Sequence, residues 1–245
     1  MYVENKKEVI SIIQARMSSK RLPGKVLLPL GKSTILNEVI NRAKEFSKQI
    51  VVCTSKDTSD DKIETLCKRI GILCVRGDLE NVFSRYQKVF DDLKKLEGCK
   101  WFARLTADNP LISINLAKNL ISKIDNKLDY IAYTKNLPNG SAIELIKKST
   151  FLNIKPDELD DIQKEHVTPI FYENNDKYNI LISDTPNYYN LSKLRITIDY
   201  KEDYKLVSKL FEINNKISLE EVIELFKKDL KIFDLNKNCT QNKLR

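Results

Sequence analysis

Two hydrophobic periods alternate along this chain, and that alternation limits its folds more than any other feature. Apolar runs at residues 9–13 (V-I-S-I-I), 50–54 (I-V-V-C-T), 72–75 (I-L-C-V) and 101–106 (W-F-A-R-L-T) are separated by helical spacing at 33–47, 59–69 and 79–96, with a further helical stretch at 113–124. A strand that is apolar at consecutive positions needs cover on both faces, which a parallel sheet between two helix layers supplies. The expected fold is therefore α/β, a doubly wound, mostly parallel sheet. Four more strands are expected at 129–133, 143–146, 180–183 and 194–198. The pattern loosens after about residue 134, and a small subregion over about 134–192 is expected to cover the sheet edge, with residues 157–172 helical but interrupted at Thr168-Pro169. Helical spacing returns at 200–213 and at 218–229, where Ser218 and Glu221 form a capping pair. Residues 1–230 thus read as one domain, and 231–245 as a polar tail whose last dozen residues fray.

A chain of 245 residues can bury about 70–75% of the surface its unfolded form exposes, so a substantial core is available. The longest apolar runs fall far short of the ~20 residues that cross a bilayer, and the opening M-Y-V-E-N-K-K-E lacks the apolar stretch of a secretory signal. A cytoplasmic protein with no membrane partner is expected. Net charge is +8, yet 34 acidic residues are interspersed with the basic ones, and only residues 16–25 concentrate positive charge. That distribution suits a small polyanion better than a nucleic acid. Five cysteines without C-x-x-C spacing read as reduced thiols, and one histidine without paired cysteines argues against zinc.

The cationic segment follows the first strand directly: Q-A-R-M-S-S-K-R-L-P-G-K at 14–25 carries Arg16, Lys20, Arg21 and Lys25 with no acidic residue between them. Guanidinium forks, ammonium groups and the backbone N–H groups around Pro23-Gly24 are the contacts that hold a triphosphate. A solvated basic loop is the alternative. A second signal is an echo: R-L-T-A-D at 104–108 and R-I-T-I-D at 195–199 share the spacing Arg-x-Thr-x-Asp at the ends of two strand candidates. On neighbouring strands, Asp108 and Asp199 could bind one Mg²⁺, a hard cation that takes one or two carboxylates and completes its shell with water and phosphate oxygens. Each aspartate also suits the cap of a following helix. Gly31-Lys32-Ser33-Thr34 imitates the end of a P-loop, but Val26 stands where that motif requires glycine, so 31–34 reads as a turn and helix start.

Taken in order, Q-A-R-M-S-S-K-R-L-P-G-K-V-L, C-T-S at 53–55, V-R-G-D at 75–78, S-R-Y at 84–86, R-L-T-A-D-N-P at 104–110, E-H-V-T-P at 165–169 and L-R-I-T-I-D at 194–199 resemble the cytidylyltransferase family that includes the spore-coat polysaccharide type, CMP-Kdo synthetase and CMP-acylneuraminate synthetase. The resemblance covers roughly residues 9–213 and implies a Rossmann-like nucleotidyltransferase fold, with 134–192 as acceptor side or dimerisation subregion; a homodimer is compatible with it. It further implies a Mg²⁺-dependent transfer of CMP from CTP to a sugar acid or a phosphorylated polyol or sugar-like acceptor, releasing pyrophosphate for a surface glycan. Carried residue by residue, it makes Arg16, Lys25, Asp108 and Asp199 catalytic. Gln14, Ala15, Arg16, Arg21, Lys25, Thr54, Ser55, Arg76, Arg85, Thr106 and Asp108 become nucleotide-binding, and Asp108 and Asp199 metal-binding. Arg104, Glu144, Glu165, His166 and Arg195 fall on the acceptor side; for His166 a capping or core contact is the alternative. A non-catalytic nucleotide-binding or nucleotide-sugar-binding subunit of glycan assembly is the competing functional reading. The chain departs from the family's pattern at Ser18 and Lys20, where glycine and a small hydroxyl residue are usual. N-G-S-A-I-E at 139–144 also replaces a more acidic D-G-x-D-x-E, which favours an anionic acceptor.

Overall fold

A computed structural model describes residues 9–240 apart from 94, 95, 97 and 135. Nine strands occur among these residues: β1 Val9–Gln14, β2 Pro29–Leu30, β3 Ser33–Thr34, β4 Gln49–Ser55, β5 Leu73–Gly77, β6 Trp101–Thr106, β7 Tyr130–Tyr133, β8 Glu144–Lys147 and β9 Ile180–Ser183. Seven form one sheet in the order β5-β4-β1-β6-β8-β7-β9, parallel except for β8, which runs antiparallel to β6 and β7. β2 and β3 form a separate two-stranded ribbon closed by Gly31 at φ 57°, and Thr34 caps the helix Ile35–Ala43 by accepting from Asn37 N. The P-loop imitation is thus a hairpin turn and a helix cap.

The strand residues divide between the two faces as the pleat requires. Val9 and Ile13 of β1, with Ile50 and Val52 of β4, pack beneath the helices Ile35–Ala43, Asp61–Arg69, Ile114–Ile121, Lys201–Ile213 and Leu219–Lys228. Ile10 and Ile12, with Val51 and Cys53, face the helices Val82–Asp92 and Lys148–Leu152 and the segment around Val167 and Phe171. Among the described residues, no helix is long and apolar enough to cross a membrane.

Two expectations fail. Among the described residues, 194–198 do not pair into the sheet and make a single ladder contact, an isolated bridge from Arg195 to Asn139. Leu194, Ile196 and Ile198 are nonetheless buried, so the alternation marks an extended segment with one face in the core but without a strand partner. The described part of the tail is also not frayed: Lys231–Asn236 is a 3₁₀ helix that buries Phe233 and Asn236, while 241–245 lie outside the described residues.

Gly140 makes the bridge to 194–198 feasible. Its φ is +97°, and a Cβ there would stand 2.7 Å from Thr197 N and 2.9 Å from Thr197 Cα. Substituting Gly140→Ala imposes both the left-handed backbone penalty and a clash with main chain that has little freedom to retreat. A loss of about 2–3 kcal/mol in unfolding free energy is expected by denaturant titration.

Candidate functional site

β1 lies between β4 and β6, so the chain leaves it toward β4 and β5 on one side and returns on the other as β6. The carboxyl ends of β1 and β6 therefore diverge into a crevice, the place where ligands bind in open α/β sheets. The cationic loop leaves β1 there, and Ala107–Asn109 leaves β6. Met17 O closes the loop by accepting from Ser19 N at 2.9 Å and Gly24 N at 2.8 Å, with Gly24 at φ +71°.

Inside the crevice, Lys25 is buried and its Nζ donates to three oxygens: Asp108 Oδ2 at 2.7 Å, Ile198 O at 2.7 Å and Asp199 Oδ1 at 2.9 Å. Ile198 N donates to Asp108 O at 2.9 Å, which holds 194–199 beside the end of β6 without a shared strand ladder. Asp199 carries two further cations, Arg21 on Oδ1 at 2.8 Å and Arg195 on Oδ2 at 2.9 Å. Burial pushes the Asp108 carboxyl up, but the Lys25 ammonium more than offsets this and holds it below the usual carboxylate range. Burial likewise opposes the charge on Lys25, and the Asp108 and Asp199 carboxylates outweigh it, raising the ammonium's pKa.

Neither aspartate caps a helix. Ser113 caps the helix after Asp108, and Asp203 accepts from Asp199 N and Tyr200 N at the next helix start, both at 3.0 Å. Asp203 was not singled out from the sequence, although its position four residues after Asp199 was a usable signal. It also takes Arg195 Nε at 2.9 Å and Asn236 Nδ2 at 2.8 Å, and these partners hold its pKa low against a burial that pushes it up. Arg195 therefore stands behind Asp199 with its guanidinium engaged by Asp199 and Asp203. The guanidinium thereby orients a carboxylate of the crevice.

The outer end of β4 is organised by another unanticipated residue. Asp60, which is buried, accepts from Met17 N at 2.7 Å, Thr54 Oγ1 at 2.9 Å, Ser55 N at 3.0 Å and Ser55 Oγ at 2.5 Å. It ties the start of the cationic loop to β4, and the hydroxyls of Thr54 and Ser55 face Asp60. Arg76 is engaged by Asp61 at 2.6 Å, Glu64 at 2.8 Å and the carbonyls of Ser55 and Asp57. Arg85 lies buried beneath Gly77 with Nε unpartnered and Nη1 reaching Asp78 O at 3.2 Å. Cys53 is buried beside Arg85, and burial raises its thiol to about 11, so it is no nucleophile at neutral pH.

The remaining candidates share one face of the sheet. Arg104 and Glu144 are register partners on β6 and β8 and pair at 2.7 Å, with Tyr130 Oη donating to the same carboxylate. Gln14 Oε1 accepts from Tyr86 Oη at 3.3 Å, and Thr106 Oγ1 accepts from Asn109 Nδ2 at 2.8 Å. Arg16 reaches Glu165 at 3.2 Å across the mouth, both side chains being largely exposed. His166 follows Glu165 and is half-buried within electrostatic reach of Arg16 and Arg104. The residue after it, Val167, is buried at φ +70° while Thr168 N donates to His166 O at 2.8 Å, a strained γ-turn that fixes the end of the helix Asp161–His166. Ser18 and Lys20 lie exposed on the loop's outer rim. The loop, Asp108 and Asp199 thus come together; Arg104, Glu144, Glu165 and His166 form a second group on the face below.

Residues 10–242 match the family model for cytidylyltransferase. Over 233 residues the chain is 31% identical to the spore coat polysaccharide biosynthesis protein SpsF of Bacillus subtilis (strain 168), covering 91% of this chain and 95% of that one. A solved cytidylyltransferase from Leptospira borgpetersenii serovar Hardjo-bovis superposes with a TM-score of 0.84 at 28% identity, covering 97% of this chain and 100% of that one. The CMP-2-keto-3-deoxy-manno-octonic acid synthetase, solved with CTP, shares the fold at a TM-score of 0.63 and 17% identity, over 84% of this chain and 99% of that one.

As the only histidine in the sequence, His166 gives a single imidazole signal. Burial lowers its pKa from 6.5, and the neighbouring Glu165 only partly opposes this. An NMR titration is expected to give a midpoint below 6.5. The unfolded chain takes up this proton first as pH falls, so His166 should lower stability from about pH 6.5 down to that midpoint and change it no further below. A midpoint above 6.5 would contradict the burial argument.

Proposed function

Because the chain belongs to the cytidylyltransferase family, whose members are CTP-dependent nucleotidyltransferases, we propose that it transfers CMP from CTP to a sugar acid or a phosphorylated polyol or sugar-like acceptor, releasing pyrophosphate in surface glycan synthesis. The carrying observation is the convergence of Lys25, Asp108 and Asp199 beside a cationic loop at the switch point of the sheet.

The residues fit a divalent cation. Two carboxylates and a carbonyl, all hard oxygen donors, already lie within 2.9 Å of one positively charged atom. In this reading Asp108 and Asp199 hold Mg²⁺, which suits a site that offers two carboxylates and leaves the remaining positions to water and phosphate oxygens. When bound, the ion supplies charge neutralisation on the phosphate oxygens.

The protein's own groups do the positioning. Arg16, Arg21 and Lys25 bind the triphosphate, and Gln14, Ala15 and Thr106 line the nucleotide's approach from the ends of β1 and β6. An acceptor oxygen attacks the α-phosphorus in line; the new O–P bond forms as the bond to the β-phosphate breaks, and the departing pyrophosphate keeps the electron pair. Charge builds on that leaving group, where Lys25 and Arg21 act, so catalysis consists of orientation and electrostatic stabilisation without a covalent nucleophile. The pair Arg104–Glu144 forms the rigid base of the acceptor pocket, with Glu165 and His166 at its mouth. His166, kept neutral by burial, takes the acceptor's proton where the attacking group is a hydroxyl.

Pyrophosphate release should be measured with each nucleoside triphosphate, Mg²⁺ and a panel of sugar acids and phosphorylated polyols. Release with CTP and one class of acceptor is expected, and Asp108→Asn should lower kcat by about 10²–10³-fold while CTP binding stays within about tenfold. Absence of release with every acceptor despite tight CTP binding would replace the enzyme by a nucleotide-binding subunit. An unchanged kcat in Asp108→Asn would remove that carboxylate from the chemistry.

A further inference from the structure

The crevice is internally neutral in a particular way. Arg21, Lys25 and Arg195 face Asp108, Asp199 and Asp203, three cations against three carboxylates, at separations of 2.7–3.0 Å. Two of these cations, Arg21 and Lys25, are the groups assigned above to the triphosphate, and two of the carboxylates are those assigned to the metal. The Lys25 ammonium stands at the point where the oxygens of Asp108, Ile198 and Asp199 converge, with its side chain only 8% exposed. A divalent cation and an ammonium cannot share that point, because both require the same oxygens and repel each other at such distances.

We propose that Lys25 is an exchangeable counter-ion: it fills the cation position between Asp108 and Asp199 until nucleotide and divalent cation arrive together, then passes to the phosphate oxygens as the metal takes the carboxylates. The inference rests on reading the crevice as the metal–triphosphate site. A metal entering alone would turn Lys25 out as an ammonium with no anion to meet, in a place where an uncompensated charge is costly. A triphosphate entering alone would draw Arg21 and Lys25 away and face Asp108 and Asp199 with like charge. Only joint entry leaves every charge opposite a partner. Metal and nucleotide are therefore coupled, each raising the other's affinity, and the coupling runs through one side chain.

Mn²⁺ is the probe, with binding followed by electron paramagnetic resonance in the presence and absence of CTP and corrected for the Mn–CTP complex free in solution. Wild-type protein is expected to bind Mn²⁺ weakly alone and tightly with CTP. In Lys25→Met, an uncharged side chain of similar length, Mn²⁺ alone should bind at least about tenfold more tightly and raise the melting temperature more than in wild type, while the Mn²⁺–CTP coupling falls toward one. Lys25→Arg keeps the charge and should keep the weak binding of wild type. If Lys25→Met does not fold, Lys25→Gln gives the same comparison, because its amide still donates to the carboxylates without carrying charge. Mn²⁺ binding to the neutral variant no tighter than to wild type, while wild type still binds Mn²⁺ with CTP, would overturn the exchange and leave the proposed function standing. No Mn²⁺ bound by any form with or without CTP would remove the metal from Asp108 and Asp199, and the exchange with it.

Discussion

Lys25 binds Asp108, 83 residues away, and Asp199, 174 residues away, through one buried ammonium. Those separations mean that the loop after β1, the end of β6 and an unpaired stretch near the carboxyl end are held in register by charge as well as by the backbone bond from Ile198 N to Asp108 O. Buried ions are costly singly and tolerable only when each is met, so removing any one member of such a group typically costs about 3–5 kcal/mol. The rest of the site follows from that requirement. Arg195 and Asp203 exist to complete the neutrality around Asp199, and Asn236 completes the hydrogen bonding of Asp203 and of Arg195 O.

Most of the sheet was legible in the sequence because a strand covered on both faces must be apolar on both, a pattern few other structures require. β1, β4 and β6 lie where their apolar runs placed them. Residues 194–198 show where that signal ends: alternation reports an extended backbone with one buried face, and Gly140 and Asn139 supply that face with a single bridge in place of a ladder. The Arg-x-Thr-x-Asp echo marked two aspartates that the fold brings to one buried ammonium, Lys25, whereas the bond from Arg195 to Asp203 forms only once the following helix is in place. Asp60 was hidden for a related reason. Placed just before a helix it looks like a cap, and only the fold brings Met17 N across 43 residues to its carboxylate.

The ion pairs Arg104–Glu144 and Arg16–Glu165 differ in character, and burial explains the difference. Arg104–Glu144 sits on adjacent strands with side chains 15% and 23% exposed and a tyrosine hydroxyl on the same carboxylate, so its geometry is fixed before any ligand arrives. Arg16–Glu165 bridges the mouth with side chains 40% and 49% exposed, and exposed pairs of this kind contribute about 0–1 kcal/mol. It parts at little cost. The first pair is thus held on two sides by the sheet and the second only by its own charges, while the strained turn at Val167 fixes the chain just after His166.

The bonds from Asn236 to Asp203 and Arg195 also set an order of assembly. Domains begin to fold from the amino end as they are synthesised, and β1, β4, β5 and β6 come from the first 106 residues. The cationic loop, with Asp60 and Asp108, is therefore made long before Asp199, Asp203 and Asn236, which complete the charge cluster. A nascent chain holding only its first strands has the basic groups of the loop without Asp199 and Asp203 to oppose them. The cluster closes late, when almost the whole sequence has emerged, and a protein cut short before residue 236 would lack the last hydrogen bonds behind it.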